Sequence, residues 1–167
     1  YSVNKLSGNS DILFILLNSD GNVESVFCTM VDFDNKFFKV KHIDGNSFFM
    51  YSEKNSSIND IYEKDSIDGL KKLFLNRWNI EIKKYVVFSK KDLIKFLSSF
   101  NGFTVNVAEN VNYKSSEFSL ELSKGKQDLS GEKALNYFLI CDKNYKEQVL
   151  CDIISSVLKP EYVDNAD

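Results

Sequence analysis

Short apolar runs separated by polar turns fill the first quarter of the chain. Residues 11–17 are apolar almost throughout and lead into the polar segment 18–22, which predicts a central strand buried on both faces and then a turn. Residues 26–31 are also β-prone, and the polar segment 32–36 predicts a hairpin turn into a third strand at 37–43. The pattern therefore predicts three sheet strands before residue 44.

The spacing then changes from strand-like to helical. Residues 47–51 resume the strand pattern, and the polar residues 52–57 predict a loop. Asp68 is a suitable N-cap for a helix, and Asn79 would end it. The apolar positions of this helix are Leu70, Leu73, Phe74 and Trp78.

The middle of the chain has a strand–helix–strand pattern. Residues 85–88 predict a short buried strand, and Ser89 followed by Asp92 resembles a capping box. Asn101-Gly102 would end the helix, and a strand follows at 103–107. This order is typical of a βαβ-type unit. The helix carries the apolar residues Leu93, Ile94, Phe96, Leu97 and Phe100.

The last third alternates first and then becomes helical. Residues 118–122 alternate apolar and polar, which predicts a strand with one solvated face, and Lys124-Gly125 turns the chain. Ser130 starts a short helix, and Pro160 stops a final one. The apolar stripe of this last helix is formed by Val149, Leu150, Ile153, Ile154, Val157 and Leu158.

No linker or repeat interrupts these elements. The sum is a single α/β domain over residues 1–167, with a core from about 11 to 159 and helices packed against a central mixed sheet.

Composition narrows the class of protein. Of the 167 residues, 43% are hydrophobic and 14% aromatic, more than disordered chains usually contain, so the chain is a folded globular domain. A net charge of -3 with both signs interspersed gives no basic stripe, so nucleic acid is not expected as a partner. Residues 12–17 are far fewer than the roughly 18 apolar residues of a membrane span. The absence of an initiator Met and of a signal sequence fits a trimmed or mature domain, and an anchor removed from it would not be visible in this sequence.

The cysteines and the single histidine carry no recognisable chemistry. No C-x-x-C pair is present, so neither a zinc ribbon nor a disulfide framework is indicated. We expect Cys28, Cys141 and Cys151 to be small buried hydrophobic residues, although Cys141 and Cys151 could also pair. His42 has no nucleophile near it in sequence, which favours a structural or surface role.

Two carboxylates follow the first predicted strand. Asp20 and Glu24 flank Gly21, and a loop at the carboxyl end of a strand could hold a cation there. A solvated turn explains the same residues equally well. The common nucleotide, dinucleotide and zinc-hydrolase motifs are absent.

Four stretches match known motifs in the same order. Leu-Leu-Gly-x-Asp at the end of a strand resembles Leu16-Leu-Asn-Ser-Asp20, and Ile-Asn-x-x-Tyr resembles Ile58-Asn-Asp-Ile-Tyr62. Gly-Gly-Val-x-Val-x-Val is similar to Asn101-Gly-Phe-Thr-Val-Asn-Val107. The most specific motif, Lys-Gly-x-Gln-x-Leu-x-Gly-Glu-x-Ala-Leu-x-Tyr, resembles Lys124-Gly-Lys-Gln-Asp-Leu-Ser-Gly-Glu-Lys-Ala-Leu-Asn-Tyr137. Over most of its length the chain therefore resembles the extracytoplasmic catalytic domain of the LytR-CpsA-Psr family.

The resemblance implies an activity and a location. The family's enzymes move a glycopolymer, such as a teichoic acid or capsular polysaccharide, from a polyprenyl-pyrophosphate carrier onto peptidoglycan. Mg²⁺ and a cluster of arginines hold the pyrophosphate, because cations neutralise the charge that builds on phosphate oxygens. The prenyl tail lies in an apolar pocket. The resemblance thus implies a bacterial cell-envelope domain outside the membrane, near it through an anchor absent from this chain, with a polyprenyl lipid or cell-wall glycopolymer as partner.

The chain departs from the family at the arginines. Arg-x-Asp-Thr is replaced by Asn22-Val-Glu-Ser25, which keeps a carboxylate at Glu24. Ile-Pro-Arg-Asp-Thr is replaced by Ile43-Asp-Gly-Asn-Ser47, and Tyr-x-Arg-x-Arg, expected on a charged strand, by Tyr137-Phe-Leu-Ile-Cys141. Arg77, the only arginine, lies on a predicted helix away from these motifs. Besides Asn22, the positions without the expected arginine are Gly45, Leu139 and Cys141.

The missing arginines favour a degenerate member of the family without phosphotransferase activity, retained for binding a lipid or envelope polymer or for regulation. Loss of one donor at such a site costs about 10²-fold or more in rate. Asp20, Glu24 and Gln148, which lies near a matching family Gln, would form its remnant pyrophosphate or metal site. No cofactor is certain; Asp20 and Glu24 would bind Mg²⁺ if this site is functional.

A divergent active transferase is the alternative. It would have to recruit lysines, which are point charges and not bidentate donors. The candidates are Lys39, Lys41 and Lys143. The oligomeric state is not indicated by the sequence.

Overall fold

The computed structural model describes residues 9–158, which form two compact units that meet in sequence at Lys90 and Lys91. The first unit contains β1 Asn9–Leu17, β2 Val23–Asp32, β3 Phe37–Asp44, β4 Phe48–Tyr51, β5 Lys54–Ser57, α1 Ile58–Trp78 and β6 Lys84–Ser89. From the boundary onward follow α2 Lys90–Leu97, β7 Phe103–Val107, β8 Val111–Lys114, β9 Ser119–Leu122, β10 Gly125–Leu129, α3 Gly131–Ile140 and α4 Lys143–Val157.

The first unit is built on a mixed four-stranded sheet with the order β3-β2-β1-β6. β1 is antiparallel to β2, with Phe14 opposite Phe27, and parallel to β6, with Leu16 opposite Phe88. β1 is therefore a central strand, as its apolar run predicts. The α/β fold class with a central mixed sheet is confirmed.

One face of this sheet is covered by α1. Because side chains alternate along a strand, Leu13 and Ile15 point to this face, whereas Phe14 points to the other and stacks on Phe27 with 4.9 Å between ring centroids. Burial of each such apolar side chain stabilises the fold by about 1.5–3 kcal/mol. The buried core between sheet and helix includes Leu13, Ile15, Val26, Cys28, Ile43, Ile58, Ile61, Leu70, Leu73 and Phe74.

The start of α1 corrects the prediction from sequence. Ser57 is the N-cap: its Oγ accepts a hydrogen bond from the Asp60 amide at 3.1 Å, and the Asp60 carboxylate accepts one from the Ser57 amide at 2.9 Å. Hydrogen bonds from Ser57 to the Asp60 carboxylate lower the pKa of this carboxyl below its ordinary value. Asp68 is not the N-cap of α1, which starts at the capping box of Ser57; it lies two residues after the non-helical Ser66, near the start of the second part of the helix.

An interruption divides α1 into two parts. Ser66 has φ 52° and ψ -141°, which is not helical, so the apolar spacing from Leu70 onward belongs to the second part. Asn79 ends this part in the left-handed region with φ 55°, and its amide donates to the Leu75 and Phe74 carbonyls. The predicted end of the helix is confirmed.

A hairpin replaces the loop predicted at 52–57. β4 is confirmed, and Lys54–Ser57 forms β5, antiparallel to it, so the predicted loop was wrong over these four residues. The two turn residues, Ser52 and Glu53, have φ 47° and 66°. Such a turn normally contains Asn or Gly, and here neither is present to signal it.

The prediction for β6 was right in type and wrong in burial. The strand is present, but Tyr85, Val86 and Val87 are 49%, 36% and 38% exposed. β6 is the last strand in the order of its sheet, and an end strand is not enclosed as a central parallel strand is.

The second unit contains two antiparallel strand pairs and three helices. β7 and α4 are joined by side chains of the helix: Asp152 accepts from the Asn106 amide at 2.9 Å, and the Ser156 Oγ accepts from the Thr104 amide at 3.3 Å. β7 pairs antiparallel with β10, so the expected βαβ-type pairing was wrong. β8 and β10 were not predicted, because their residues are mostly polar.

Other sequence predictions for this unit stand. β7 has the predicted bounds, and β9 alternates exposed and buried residues as expected. The Ser130 Oγ caps α3 by accepting from the Lys133 amide. All three cysteines are free thiols, which excludes the Cys141–Cys151 pair, and only Cys28 is fully buried. Pro160 lies outside the described residues.

Candidate functional site

The turn between β1 and β2 carries the first predicted site residue. Its shape is set by Asn18, whose Oδ1 accepts hydrogen bonds from the Asp20 amide at 3.0 Å and the Asn22 amide at 2.9 Å. Gly21 has φ 80°, a conformation that other residues rarely adopt. The Asp20 side chain is exposed. Glu24, the second residue of β2, is half-buried. The turn that places Asp20 at the surface is thus fixed by hydrogen bonds from backbone amides to the Asn18 side chain.

Next to this turn, Asn59 joins three segments of the backbone. Its Oδ1 accepts from the Val23 amide at 2.6 Å, and its Nδ2 donates to the carbonyls of Val23 at 3.0 Å and Gly45 at 3.2 Å. In the backbone, the Asn59 N–H donates to the Gly45 carbonyl, and the Gly45 N–H donates to the Glu24 carbonyl. Asn59 belongs to the Ile-Asn-x-x-Tyr match, but its role was not deduced from the sequence. The only signal was a polar residue at the start of that motif.

The backbone at Gly45 leaves no room for a side chain. A Cβ placed on Gly45 would lie 1.8 Å from the Val23 carbonyl oxygen and 2.7 Å from its carbon. Both are backbone atoms in a strand, so they cannot be displaced by a simple rotation. Position 45, one of the four without the expected arginine, is therefore closed to every residue larger than glycine unless the backbone moves.

Two further such positions lie in the second unit, at the end of a helix and not on the strand that was expected. Leu139 is in the last turn of α3 and Cys141 is its C-cap, with the Cys141 amide donating to the Tyr137 carbonyl at 2.9 Å. The Leu139 carbonyl accepts from the Lys146 ammonium at 3.4 Å. Both residues are half-buried. The expected strand was wrong because the apolar spacing of residues 134–138 continues the helix started at Ser130.

Tyr137 and Gln148 each make a hydrogen bond within the second unit. The Tyr137 hydroxyl accepts from the Ala108 amide at 2.9 Å, and the residue is 2% exposed; burial raises the pKa of its hydroxyl. Gln148 is exposed on α4 and donates from Nε2 to Asp152 at 2.9 Å. Gln148 therefore belongs to the second unit, whereas Asp20 and Glu24 belong to the first.

His42 is hydrogen bonded to a serine that lies far from it in sequence. The Ser25 Oγ and the His42 Nε2 are 2.8 Å apart, and Asp44 approaches the same Nε2 at 3.8 Å. In a catalytic triad the carboxylate binds the other ring nitrogen and the serine is accessible, whereas Ser25 is 1% exposed. This cluster lacks the geometry for nucleophilic catalysis.

The lysines considered as substitutes for arginine contact aromatic rings or solvent. Lys39 lies over the Phe37 ring at 5.5 Å and Lys41 over the Trp78 ring at 5.8 Å, while Lys143 is exposed at the start of α4. Among residues 9–158, no three His, Cys, Asp or Glu side chains are grouped so as to hold a metal ion. In the same range no helix has both the length and the apolar character needed to cross a bilayer.

Comparison with solved structures shows the same fold. A protein described as a transcription regulator from Eubacterium siraeum has a TM-score of 0.78 and 17% identity, over 98% of this chain and 69% of that one. Bacillus subtilis TagV has a TM-score of 0.73 and 22% identity, over 92% and 65%. TagT with bound octaprenyl pyrophosphate lipid has a TM-score of 0.68 and 17% identity, over 95% and 70%. The chain thus spans about two thirds of the length of these proteins.

Comparison of sequences gives the family. No curated protein sequence matches the chain. The model of the LytR_cpsA_psr family matches residues 30–146, which is more than half of the chain and includes Gly45, Asn59, Leu139 and Cys141. The chain therefore belongs to the LytR_cpsA_psr family.

Proposed function

We propose that this chain is a cell-envelope domain that binds a polyprenyl lipid or an envelope glycopolymer and has no phosphotransferase activity. Its place is outside the bacterial membrane, held near it by an anchor beyond this chain. The ligand class is supported by structural neighbours, since TagT structures contain bound octaprenyl pyrophosphate lipid, LI-WTA or LIIa-WTA.

One observation carries the proposal of inactivity. The contact of 1.8 Å between a Cβ at position 45 and the Val23 oxygen excludes a cationic side chain where the family motif has arginine. Asn22, Leu139 and Cys141 offer no cation at the other three positions. Charge that builds on a phosphate in the transition state would therefore meet none of the four bidentate donors that the motifs lead us to expect.

Magnesium fits this chain only together with a ligand. Asp20 and Glu24 supply hard carboxylate oxygens, the donors that Mg²⁺ prefers, but no third acidic, His or Cys side chain of the described residues completes a group with them. Mg²⁺ is often held by one or two carboxylates plus phosphate oxygens. We therefore expect Mg²⁺ to bind with a pyrophosphate and not alone.

Thermal unfolding tests ligand binding. The domain is heated with and without geranyl pyrophosphate, a short soluble polyprenyl pyrophosphate, each with and without Mg²⁺. A ligand at 100 times its Kd stabilises the folded state by about 2.7 kcal/mol, or about 5–10 °C for a domain of this size. We expect a shift with the lipid and a larger one with lipid plus Mg²⁺. No shift in any arm would contradict lipid binding and leave a polymer as the ligand to test.

Turnover of a lipid-linked polymer tests inactivity. The chain is incubated with the lipid-linked polymer, Mg²⁺ and peptidoglycan, and transfer is followed by release of the lipid phosphate. We expect no transfer above the protein-free control. Mg²⁺-dependent transfer that Asp20→Asn abolishes would overturn the proposal and establish the divergent transferase that uses lysines.

A further inference from the structure

A cavity of about 690 Å³ lies in the first unit between the β4–β5 hairpin and α1. This volume is within the range of small-molecule sites, roughly 300–1,000 Å³. Its lining comes from residues 48–55 of the hairpin and residues 65–77 of the helix. None of the lining residues belongs to the stretches that match the family motifs, so the remnant site does not account for the cavity.

The hairpin wall of the cavity is fixed to the helix by two inward side chains. The Phe49 ring meets the Trp78 ring edge to face at 5.7 Å, and the Tyr51 hydroxyl donates to the Asp65 carboxylate at 2.8 Å. Burial, followed by the bond to Asp65, raises the pKa of the Tyr51 hydroxyl. The cavity is therefore bounded by a hairpin with defined contacts and is not a gap under a loose loop.

The alternate residues of the same strand are apolar and exposed. Phe48 is 62% exposed and Met50 is 71% exposed, and both line the cavity. Neither residue stabilises the fold by burial at these positions. Two large apolar side chains beside one cavity are an attractive surface for the apolar body of a ligand.

The helix wall brings two cations to the same cavity. Lys72 and Arg77 both line it, and neither forms an ion pair with any residue between 9 and 158. Asp65, the acidic residue of the lining, already accepts the Tyr51 bond. A cation at Arg77, in the last turn of α1, is explained by its attraction to the negative C-terminal end of the helix dipole. Lys72 lies more than a turn earlier, where this attraction no longer explains a cation.

We propose that this cavity binds an organic phosphate with an apolar body, the phosphate at Lys72 and Arg77 and the apolar part against Phe48 and Met50. Arginine offers two parallel N–H donors to phosphate and lysine a point charge. A monomeric phosphate ester and a phospholipid headgroup share this chemistry. The site goes beyond the function proposed above, because it uses no residue of the remnant site.

The intrinsic fluorescence of Trp78 provides the assay. Trp78 is the only tryptophan and packs against Phe49 of the hairpin, so occupancy of the cavity should change its emission. The chain is titrated with octyl phosphate below its micelle concentration, and with octyl glucoside as the uncharged probe. The variant Lys72→Gln/Arg77→Gln removes both cations, and Lys64→Gln removes one charge from an exposed position of α1 outside the lining. All substituted residues are exposed, and thermal unfolding confirms that each variant is folded.

The proposal expects saturable binding of octyl phosphate and little response to octyl glucoside. The double variant should bind at least about tenfold more weakly and Lys64→Gln within about twofold of the original chain. Met50→Ser should weaken binding about threefold or more, because it removes apolar contact. Equal affinity of the double variant and the original chain, or equal binding of both probes, would overturn the proposal.

Sedimentation with vesicles distinguishes the two sources of the phosphate. Binding to phosphatidylglycerol vesicles but not to phosphatidylcholine vesicles, lost in the double variant, would support the proposal and identify a lipid headgroup. Octyl phosphate binding without vesicle binding would support it and identify a soluble phosphate ester. Vesicle binding that the double variant retains, without octyl phosphate binding, would overturn it.

Discussion

Replacement of Asn59 by alanine should destabilise the first unit out of proportion to the size of the change. The side chain makes three hydrogen bonds to backbone groups, one with the Val23 amide, one with the Val23 carbonyl and one with the Gly45 carbonyl. Val23 is 2% exposed and Gly45 is buried, so these groups have little access to water in compensation. Asn59→Ala leaves all three without this partner.

The magnitude follows from the cost of unsatisfied groups. A buried donor or acceptor that loses its partner costs about 1–3 kcal/mol. Asn59 is itself only half-buried and water can enter the space left by the amide, so we expect a total loss of about 2–4 kcal/mol. For a domain of this size the melting temperature should fall by about 5–15 °C. Urea denaturation followed by circular dichroism gives the free energy of unfolding directly.

Two further variants make the reasoning refutable. Asn59→Asp keeps an oxygen for the Val23 amide but places its second carboxylate oxygen against the Val23 and Gly45 carbonyls, so it should cost at least as much stability as Asn59→Ala. Asn46→Ala changes the exposed neighbour of Gly45 and should cost less than about 0.5 kcal/mol. If Asn59→Ala cost no more than Asn46→Ala, the three bonds would not stabilise the fold and the account of this region would be wrong.

Three more predictions concern single side chains. Gly45→Ala should cost about 2–4 kcal/mol in urea unfolding, against about 1 kcal/mol for Gly21→Ala, where only the positive φ opposes the change; equal costs would contradict the contact with Val23. Tyr137→Phe should cost about 1 kcal/mol, because the half-buried Ala108 amide loses its acceptor, and a neutral effect would contradict this bond. Burial raises the pKa of the Cys28 thiol from 9.0 to about 12, so the unfolded chain releases this proton first. The stabilisation is complete below pH 9 and is lost as the pH rises to about 12; Cys28→Val should flatten this decline in melting temperature, and an unchanged slope would refute it.

The parts of the fold that sequence predicts are those encoded by local signals. β1, β2 and β3 are apolar or β-branched runs separated by Asn, Asp and Gly, and their order predicts three strands directly. β5 was missed because Ser52 and Glu53 form a turn that usually requires Asn or Gly. β10 was missed because its residues are mostly polar, and its strand conformation depends on pairing with β7. Pairing between distant segments leaves no local pattern to detect.

Sequence motifs give candidate residues for the site, but they do not give its geometry. The family motifs identify position 45 as one where arginine is expected, but the contact of a Cβ there with Val23 depends on two backbone segments that approach only in the folded chain. The partner that fixes this approach, Asn59, is 36 residues from Val23 in sequence. Sequence reasoning could identify the substitution at position 45 but not the reason why glycine suits it.

The close contact at Gly45 also determines the order in which this chain can change over evolutionary time. A mutation that introduces arginine at position 45 meets the Val23 carbonyl at once, so the single step is destabilising whatever benefit the charge confers. Substitutions that move the β2 backbone or break the Asn59 hydrogen bonds would have to come first. On their own, such substitutions destabilise the fold and add no charge to the site. A route to a charged side chain at this position therefore passes through less stable intermediates.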